Sequence, residues 1–251
     1  MITGVLSAKH GYFNYYAELE TAGKCYEWAL EHLALDEIGV YPNGTKVTED
    51  PESKFKSLYD FLSSEIEKVP PGANVVIFTP WLHGNRCPFE DSDAAGMFFN
   101  LRIENGKRDI IRAVLEGICY HLRWLPECVE KKVKTADTIR FVGGGALSPA
   151  ICRMPADITG RTIETVGNAQ KAGAIGAALT VAAGIKGEDV LALSRRLVKA
   201  DRTYLPDPKN QAVYARNYTV FKNLYKSNAA NYKQLNGRRA AQTRSNGEND
   251  G

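Results

Sequence analysis

The chain has 251 residues, enough for one large domain or two small ones, and its 44% apolar content is that of an ordinary globular protein. The 32 Lys and Arg against 29 Asp and Glu leave a formal charge of only +3, which gives no case for nucleic-acid binding. No apolar run approaches the roughly 20 residues needed to cross a bilayer, and the N-terminus has no charged-then-apolar leader pattern. The five cysteines have no CxxC and no metal-ligand spacing, which points to a reducing cytoplasm and no metal centre.

In chain order, Met1–Leu6 reads as a short strand that starts inside a sheet, and the aromatic run Tyr12–Leu19 as a second strand or a loop over the core. Glu20–Leu35 has helical spacing in Cys25, Trp28, Ala29, His32 and Leu33, with Thr21 as the expected cap. His32 is assigned to a core or an interface. Gly23 lies in the first turn, where a helix disfavours glycine. That allows either a loose turn or the close approach of a ligand. Tyr41–Pro51 is a polar loop, and Phe55–Val69 an amphipathic helix stopped by Pro70-Pro71-Gly72. Asn74–Phe78 reads as a buried strand.

Thr79–Leu101 follows as a turn-rich loop. Arg86 stands in it between Gly84 and Pro88, a setting in which Arg pairs with a carboxylate, with backbone carbonyls or with a phosphate. His83 is an exposed loop residue, and Asp91 and Asp93 are turn and cap residues rather than an acid–base pair. Asp109 opens a long helix to Cys128 whose apolar face runs from Ile110 to Leu125. Cys119 and Cys128 fall on it as buried residues, and Glu116 in its middle is either a buried hydrogen-bond partner or a solvated charge.

Thr138–Val142 is a β-branched strand that runs straight into Gly143, Gly144 and Gly145. Ser148 and Pro149 then open a helix, as cap and first helical residue. Glycines at a strand end permit a sharp turn and a close backbone approach, and the helix start behind them suits phosphate or ribose oxygens. Taken alone, the same turn serves equally well as a packing device. Pro155 should shorten or bend that helix near Met154. Ile163–Val166 is the next strand, and Ala172–Gly184 a helix of small residues able to lie close to a sheet or another helix. Gly187–Lys199 is a short helix, Arg202–Pro208 is extended, and Gln211–Leu235 is a closing helix. Residues 236–251 carry no apolar anchor and read as a disordered tail.

Three of these stretches carry a resemblance. GGGALSP at Gly143–Pro149, the Ala156–Arg161 run and NAQKAGAIGAA at Asn168–Ala178 resemble the C-terminal domain of the FGGY family of carbohydrate kinases, and among these the xylulose kinases most. Pro80, Gly84, Arg86 and Pro88 match the family's loop in order. Gly96, Phe98, Leu101, Asp109-Ile110 and Ala113–Glu116 match its second signature. Asn100 departs from the usual glycine, although Asn tolerates a left-handed backbone best of the non-glycine residues. Lys171 stands where the family commonly has glutamate.

The resemblance covers the chain to about Leu235. It implies an α/β actin-like ATPase domain with a ribonuclease-H-like mixed sheet flanked by helices and lacking its first strands. Residues 1–235 would be the nucleotide-side domain and 236–251 the tail. It implies transfer of the ATP γ-phosphate, with Mg2+, to a ketopentose hydroxyl, D-xylulose becoming D-xylulose 5-phosphate. Gly143, Gly144, Gly145, Ala146 and Ser148 would lie against the nucleotide, as would Gly23 and Glu27, with Arg86 as a phosphate contact or a structural loop residue. No catalytic residue and no metal ligand is assigned. The family's catalytic aspartate, its Gly-Thr hairpin and most sugar contacts belong to segments not recognised in these residues. The expected partners are therefore an N-terminal kinase domain, a sugar and a second copy in a homodimer, with no nucleic acid and no membrane. The chain alone should be inactive. Ribulose, gluconate or glycerol as the sugar remains open, as does a non-catalytic nucleotide-binding or interaction module.

Overall fold

A computed structural model describes residues 2–34 and 58–247. The expected loop at Tyr41–Pro51 and the start of the Phe55–Val69 helix lie outside the described residues.

The first two strands, β1 (Thr3–Leu6) and β2 (Phe13–Tyr16), form an antiparallel hairpin exposed on both faces. Helix α1 (Ala22–Ala29) ends in a π turn over Leu30–Ala34. Thr21 sits at its N-cap without capping it. Its hydroxyl donates instead to Pro80 O at 2.7 Å, a buried partner that outcompetes the local amides. His32 is exposed rather than buried, stacked on Trp28 with its Nδ1 3.0 Å from Trp28 O.

Helix α2 (Leu58–Glu67) leads to the Pro70-Pro71-Gly72 stop. The strand expected at Asn74–Phe78 starts later, as β3 (Ile77–Thr79). Ala73, Asn74 and Val75 all have positive φ and form a left-handed turn. Side chains from elsewhere hold that turn: Asn74 Nδ2 donates to Asp109, Asn100 Nδ2 to Val75 O and Asn217 Nδ2 to Gly72 O. β3 pairs antiparallel with β4 (Met97–Phe99). Asn100 just beyond β4 has φ of 64°, the left-handed conformation its residue type allows.

Helix α3 (Lys107–Val129) is the axis of the core. Asp109 caps it by accepting from Gly106 N at 3.0 Å. Ile111, Ala113, Val114, Leu115, Ile118 and Tyr120 are buried along it. Gly117 lets the helix press onto β3, since a Cβ there would meet Phe78 O at 2.3 Å. Cys119 is buried, but Cys128 in the last turn is only half-buried.

β5 (Thr138–Phe141) pairs in parallel with β6 (Thr162–Val166) across the crossover helix α4 (Pro149–Thr159). β7 (Ala200–Tyr204) adds antiparallel to β6, giving a mixed three-stranded sheet. α4 runs through Pro155 to Gly160, whose φ of 69° ends it, so the proline does not shorten the helix. Helix α5 (Ala172–Lys186) is the small-residue helix. Only Ala183 on it is buried, Val181 and Ile185 are exposed, and the glycines within it face open space. The close packing expected of it is not made among the described residues. Helix α6 (Val190–Leu197) is capped by Asp189.

Helix α7 (Gln211–Gly247) closes the fold and lays Tyr214, Tyr218, Phe221, Leu224 and Tyr232 onto α3 and Trp81. It does not stop at Leu235. The backbone stays helical to Gly247, so the disordered tail expected from residue 236 is not found over 236–247. The run from Arg238 to Gln242 consists of strong helix formers. Asn236 is also tied down, its Nδ2 donating to Asp93 O at 2.8 Å.

Candidate nucleotide site

The glycine turn begins where β5 ends. Gly143 has φ of 96°, a value that favours glycine over any other residue. Its N–H donates to Ala169 O at 3.0 Å, tying the turn to the loop after β6. Gly144–Leu147 then winds as a 3-10 turn. The three glycines are not equivalent. A Cβ on Gly143 or Gly144 would meet nothing within 4 Å, so both present bare backbone to open space. A Cβ on Gly145 would meet the Phe141 ring at 3.2 Å and Ile151 at 3.4 Å, so this glycine serves packing. Ala146 is buried in a small cluster with Val166 and Ala169. Ser148 caps α4 by accepting from Ile151 N at 3.4 Å, and its hydroxyl donates to Ser63 of α2 at 2.9 Å. Its polar atoms are therefore engaged within the protein.

Gly23 in the first turn of α1 is likewise open, with nothing within 4 Å of a Cβ. Glu27, one turn further on, is exposed. The two candidate surfaces lie on different elements, the glycine turn just ahead of α4 and Gly23–Glu27 on α1. Both helices pack against α3, which is the support they share.

Arg86 in the loop after β3 is held by carboxylates. Its Nε lies 2.7 Å from Glu20 Oε2 and its Nη1 3.7 Å from Glu18 Oε2. Asp91 and Asp93 behave as turn residues: Asp91 accepts from Asp93 N at 2.9 Å and from Tyr225 OH at 3.1 Å. Glu116 is fully buried, the first of the two alternatives its place in the helix allows. Its Oε1 accepts from Arg112 Nε at 2.7 Å, Gly72 N at 3.0 Å and Tyr214 OH at 3.1 Å. Burial pushes its carboxyl above the usual range, with Arg112 pulling the other way.

Two residues of this region escaped the sequence reading. Trp81 is fully buried and donates from Nε1 to His121 Nδ1 at 3.1 Å. Nδ1 therefore accepts, and His121 Nε2–H donates to Cys87 O at 2.7 Å. Burial lowers the His121 pKa to about 4, so the ring is neutral. A signal was available, since His121 falls seven residues after Val114 on the apolar face of α3.

Among the described residues no group of three or more His, Cys, Asp or Glu side chains is arranged to hold a metal ion. Among the described residues, too, no helix is long and apolar enough to cross a membrane.

The chain is similar to known proteins over most of its length. The profile of the FGGY family of carbohydrate kinases, C-terminal domain, matches residues 6–185. A xylulose kinase of Lactococcus lactis is 34% identical over 217 residues, which cover 85% of this chain and 41% of that protein. A ribulokinase of Bacillus licheniformis is 26% identical over 224 residues, covering 86% of this chain and 38% of the relative. Among solved structures, a ligand-bound xylulose kinase from Lactobacillus acidophilus superposes with a TM-score of 0.69 at 25% identity, over 85% of this chain and 39% of its own. The chain thus spans about two fifths of the length of these relatives. The mixed sheet with its flanking helices is the α/β, actin-like ATPase fold of sugar kinases, seen over part of such an enzyme.

Proposed function

Given that the chain belongs to the FGGY family of carbohydrate kinases, as part of its C-terminal domain, we propose that it forms the nucleotide side of an ATP-dependent sugar kinase. The reaction proposed is transfer of the γ-phosphate to a ketopentose hydroxyl, with D-xylulose as substrate. The observation that carries the reading is the bare backbone of Gly143 and Gly144 in front of the α4 N-terminus. Glycines with open faces before a helix start let phosphate or ribose oxygens come close to N–H groups and to the positive end of the helix dipole. In this reading Gly143 and Gly144 face the nucleotide, while Gly145 and the buried Ala146, whose N–H donates to Gly143 O at 3.2 Å, shape the turn from behind. Ser148 sets the start of α4. Gly23 and Glu27 form a second edge. Arg86 is a structural loop residue, since two carboxylates already engage it.

Phosphoryl transfer is mainly positioning and charge neutralisation, together with a base that accepts the hydroxyl proton. The residues above supply positioning of ATP. Magnesium, arriving with ATP, supplies charge neutralisation at the phosphates. The base and most sugar contacts are assigned to an N-terminal kinase domain acting as partner, in a cytoplasmic enzyme that pairs as a dimer. These 251 residues are accordingly proposed to bind nucleotide but not to turn over sugar.

The xylulose reading is supported by the xylulose kinases among the relatives. Ribulose, gluconate and glycerol remain competitors, because a ribulokinase and a gluconokinase are also similar. A coupled ADP-release assay with Mg-ATP and each sugar tests this, run on the chain alone and with the N-terminal half of a related kinase added. Turnover only on addition, and fastest with D-xylulose, is expected. Turnover by the chain alone would overturn the assignment of the base. For binding itself, Gly144→Val is the informative variant. A Cβ there meets nothing within 4 Å, so lost ATP affinity with an unchanged melting temperature is the expected result.

A further inference from the structure

The start of α1 is gripped from outside its own helix, by residues that follow it by about 60 to 100 positions. Thr21 is buried and donates to Pro80 O at 2.7 Å, and Cys25 Sγ points to the same carbonyl at 3.5 Å and to Thr21 Oγ1 at 3.3 Å. The residue after Pro80 is Trp81, whose indole N–H donates to His121 of α3. His121 donates in turn to Cys87 O. The residue before Cys87 is Arg86, which pairs with Glu20 at 2.7 Å. Glu20 precedes Thr21, so the interactions close a ring: Thr21, Pro80, Trp81, His121, Cys87, Arg86, Glu20. One half of the ring is buried, while in the Arg86–Glu20 link Arg86 is exposed and Glu20 half-buried.

This ring does more than a helix start requires. An N-cap threonine ordinarily accepts from the amides of the first turn. Here its hydroxyl is turned away from them. The local bond has been given up for a long-range one that sets where the turn stands relative to α3. The open Gly23 sits two residues beyond Thr21.

We propose that Thr21 and Arg86, with His121 as the anchor on α3, are positioning residues that hold the Gly23–Glu27 edge in register for nucleotide. The proposal rests on the nucleotide reading above. Thr21 sets the height of the first turn through its bond to Pro80, and Arg86 sets its lateral position through Glu20. Both act through the turn and neither touches the ligand.

The test measures displacement of a fluorescent ATP analogue by Mg-ATP, on the 251-residue chain and four variants, with thermal melting alongside. Thr21→Val keeps size and burial but loses the donor. It should weaken Mg-ATP binding about fivefold, the equivalent of one hydrogen bond. Thr21→Ser restores the donor and should bring affinity back within about twofold of the unsubstituted chain. Arg86→Gln breaks an exposed pair of little weight in stability, so it should weaken binding while leaving the melting temperature in place. Gly144→Val tests the nucleotide site independently. If the unsubstituted chain binds and Gly144→Val does not, while Thr21→Val and Arg86→Gln bind normally, the positioning role is overturned and the nucleotide reading stands. If affinity falls in Thr21→Val only in proportion to a lowered melting temperature, and Thr21→Ser fails to restore it, the ring is merely structural and the proposal is overturned. Absence of binding by the unsubstituted chain overturns both.

Discussion

Replacing Arg112 with Met should strongly destabilise the core. The Arg112 side chain is 10% exposed and donates three bonds: to Glu116 Oε1 at 2.7 Å, to Ile66 O at 3.0 Å and to Tyr214 OH at 3.1 Å. Methionine matches the stem and removes all three. Glu116 is then left as a carboxylate with no exposure and no counter-charge. Breaking one side of a buried pair costs about 3–5 kcal/mol. For a domain of this size that corresponds to a fall in melting temperature of about 6–20 °C. Urea unfolding followed by tryptophan fluorescence gives the free energy directly, as a shift in midpoint at constant slope. Glu116→Leu alone should cost a similar amount, because it strands the guanidinium. The double variant should cost clearly less than the sum of the two, since neither charge is then left buried alone. The deficit of Arg112→Met should also shrink on acidification. Burial already raises the Glu116 carboxyl pKa, and losing Arg112 raises it further. The folded state then takes up a proton more readily than the unfolded state, and stability rises as pH falls. Additive single costs, or an Arg112→Met variant within about 1 kcal/mol of the parent, would refute the charge-pair account.

Two other predictions follow from the core. His121 is held neutral, with a pKa lowered to about 4, whereas in the unfolded chain it titrates near 6.5. Between these values the unfolded state binds the extra proton, so acidification from pH 6.5 towards 4 should remove up to about 3 kcal/mol of stability. His121→Gln should flatten that part of the pH dependence, and an unchanged slope in the variant would assign it to other groups. Gly117→Ala would place a methyl 2.3 Å from Phe78 O. Backbone cannot yield cheaply there, so a cost of about 1–3 kcal/mol or more is expected. A melting temperature equal to the parent's would show that α3 and β3 are less tightly apposed than their geometry indicates.

Local chemistry made much of this fold legible in the chain itself. Ser148-Pro149 announced the start of α4, and the apolar spacing from Ile110 to Leu125 announced α3. The run Thr138–Val142 before three glycines announced β5 and its turn. Asn100 could be read as a left-handed residue from its type alone, and its φ of 64° agrees. These are properties of a residue and its near neighbours. The errors have the opposite character. Thr21 read as a cap, because sequence shows the amides two and three residues away and cannot show Pro80 O. Asn74 and Val75 read as strand, because β-branched propensity was visible and the side chains that impose a left-handed turn lie 25 to about 145 positions further on. The three glycines read alike, yet only the ring of Phe141 and the side chain of Ile151 separate Gly145, which packs, from Gly143 and Gly144, which stand open.

Element type, order and family could be had from the 251 letters, because turn chemistry, helical period and short motifs act over a few residues. Which glycine stands open, which carboxylate is buried with an arginine, and which histidine bonds Trp81 and Cys87 were settled by packing. Each of those roles depends on an atom brought close by the chain's return across α3, and that proximity has no local trace.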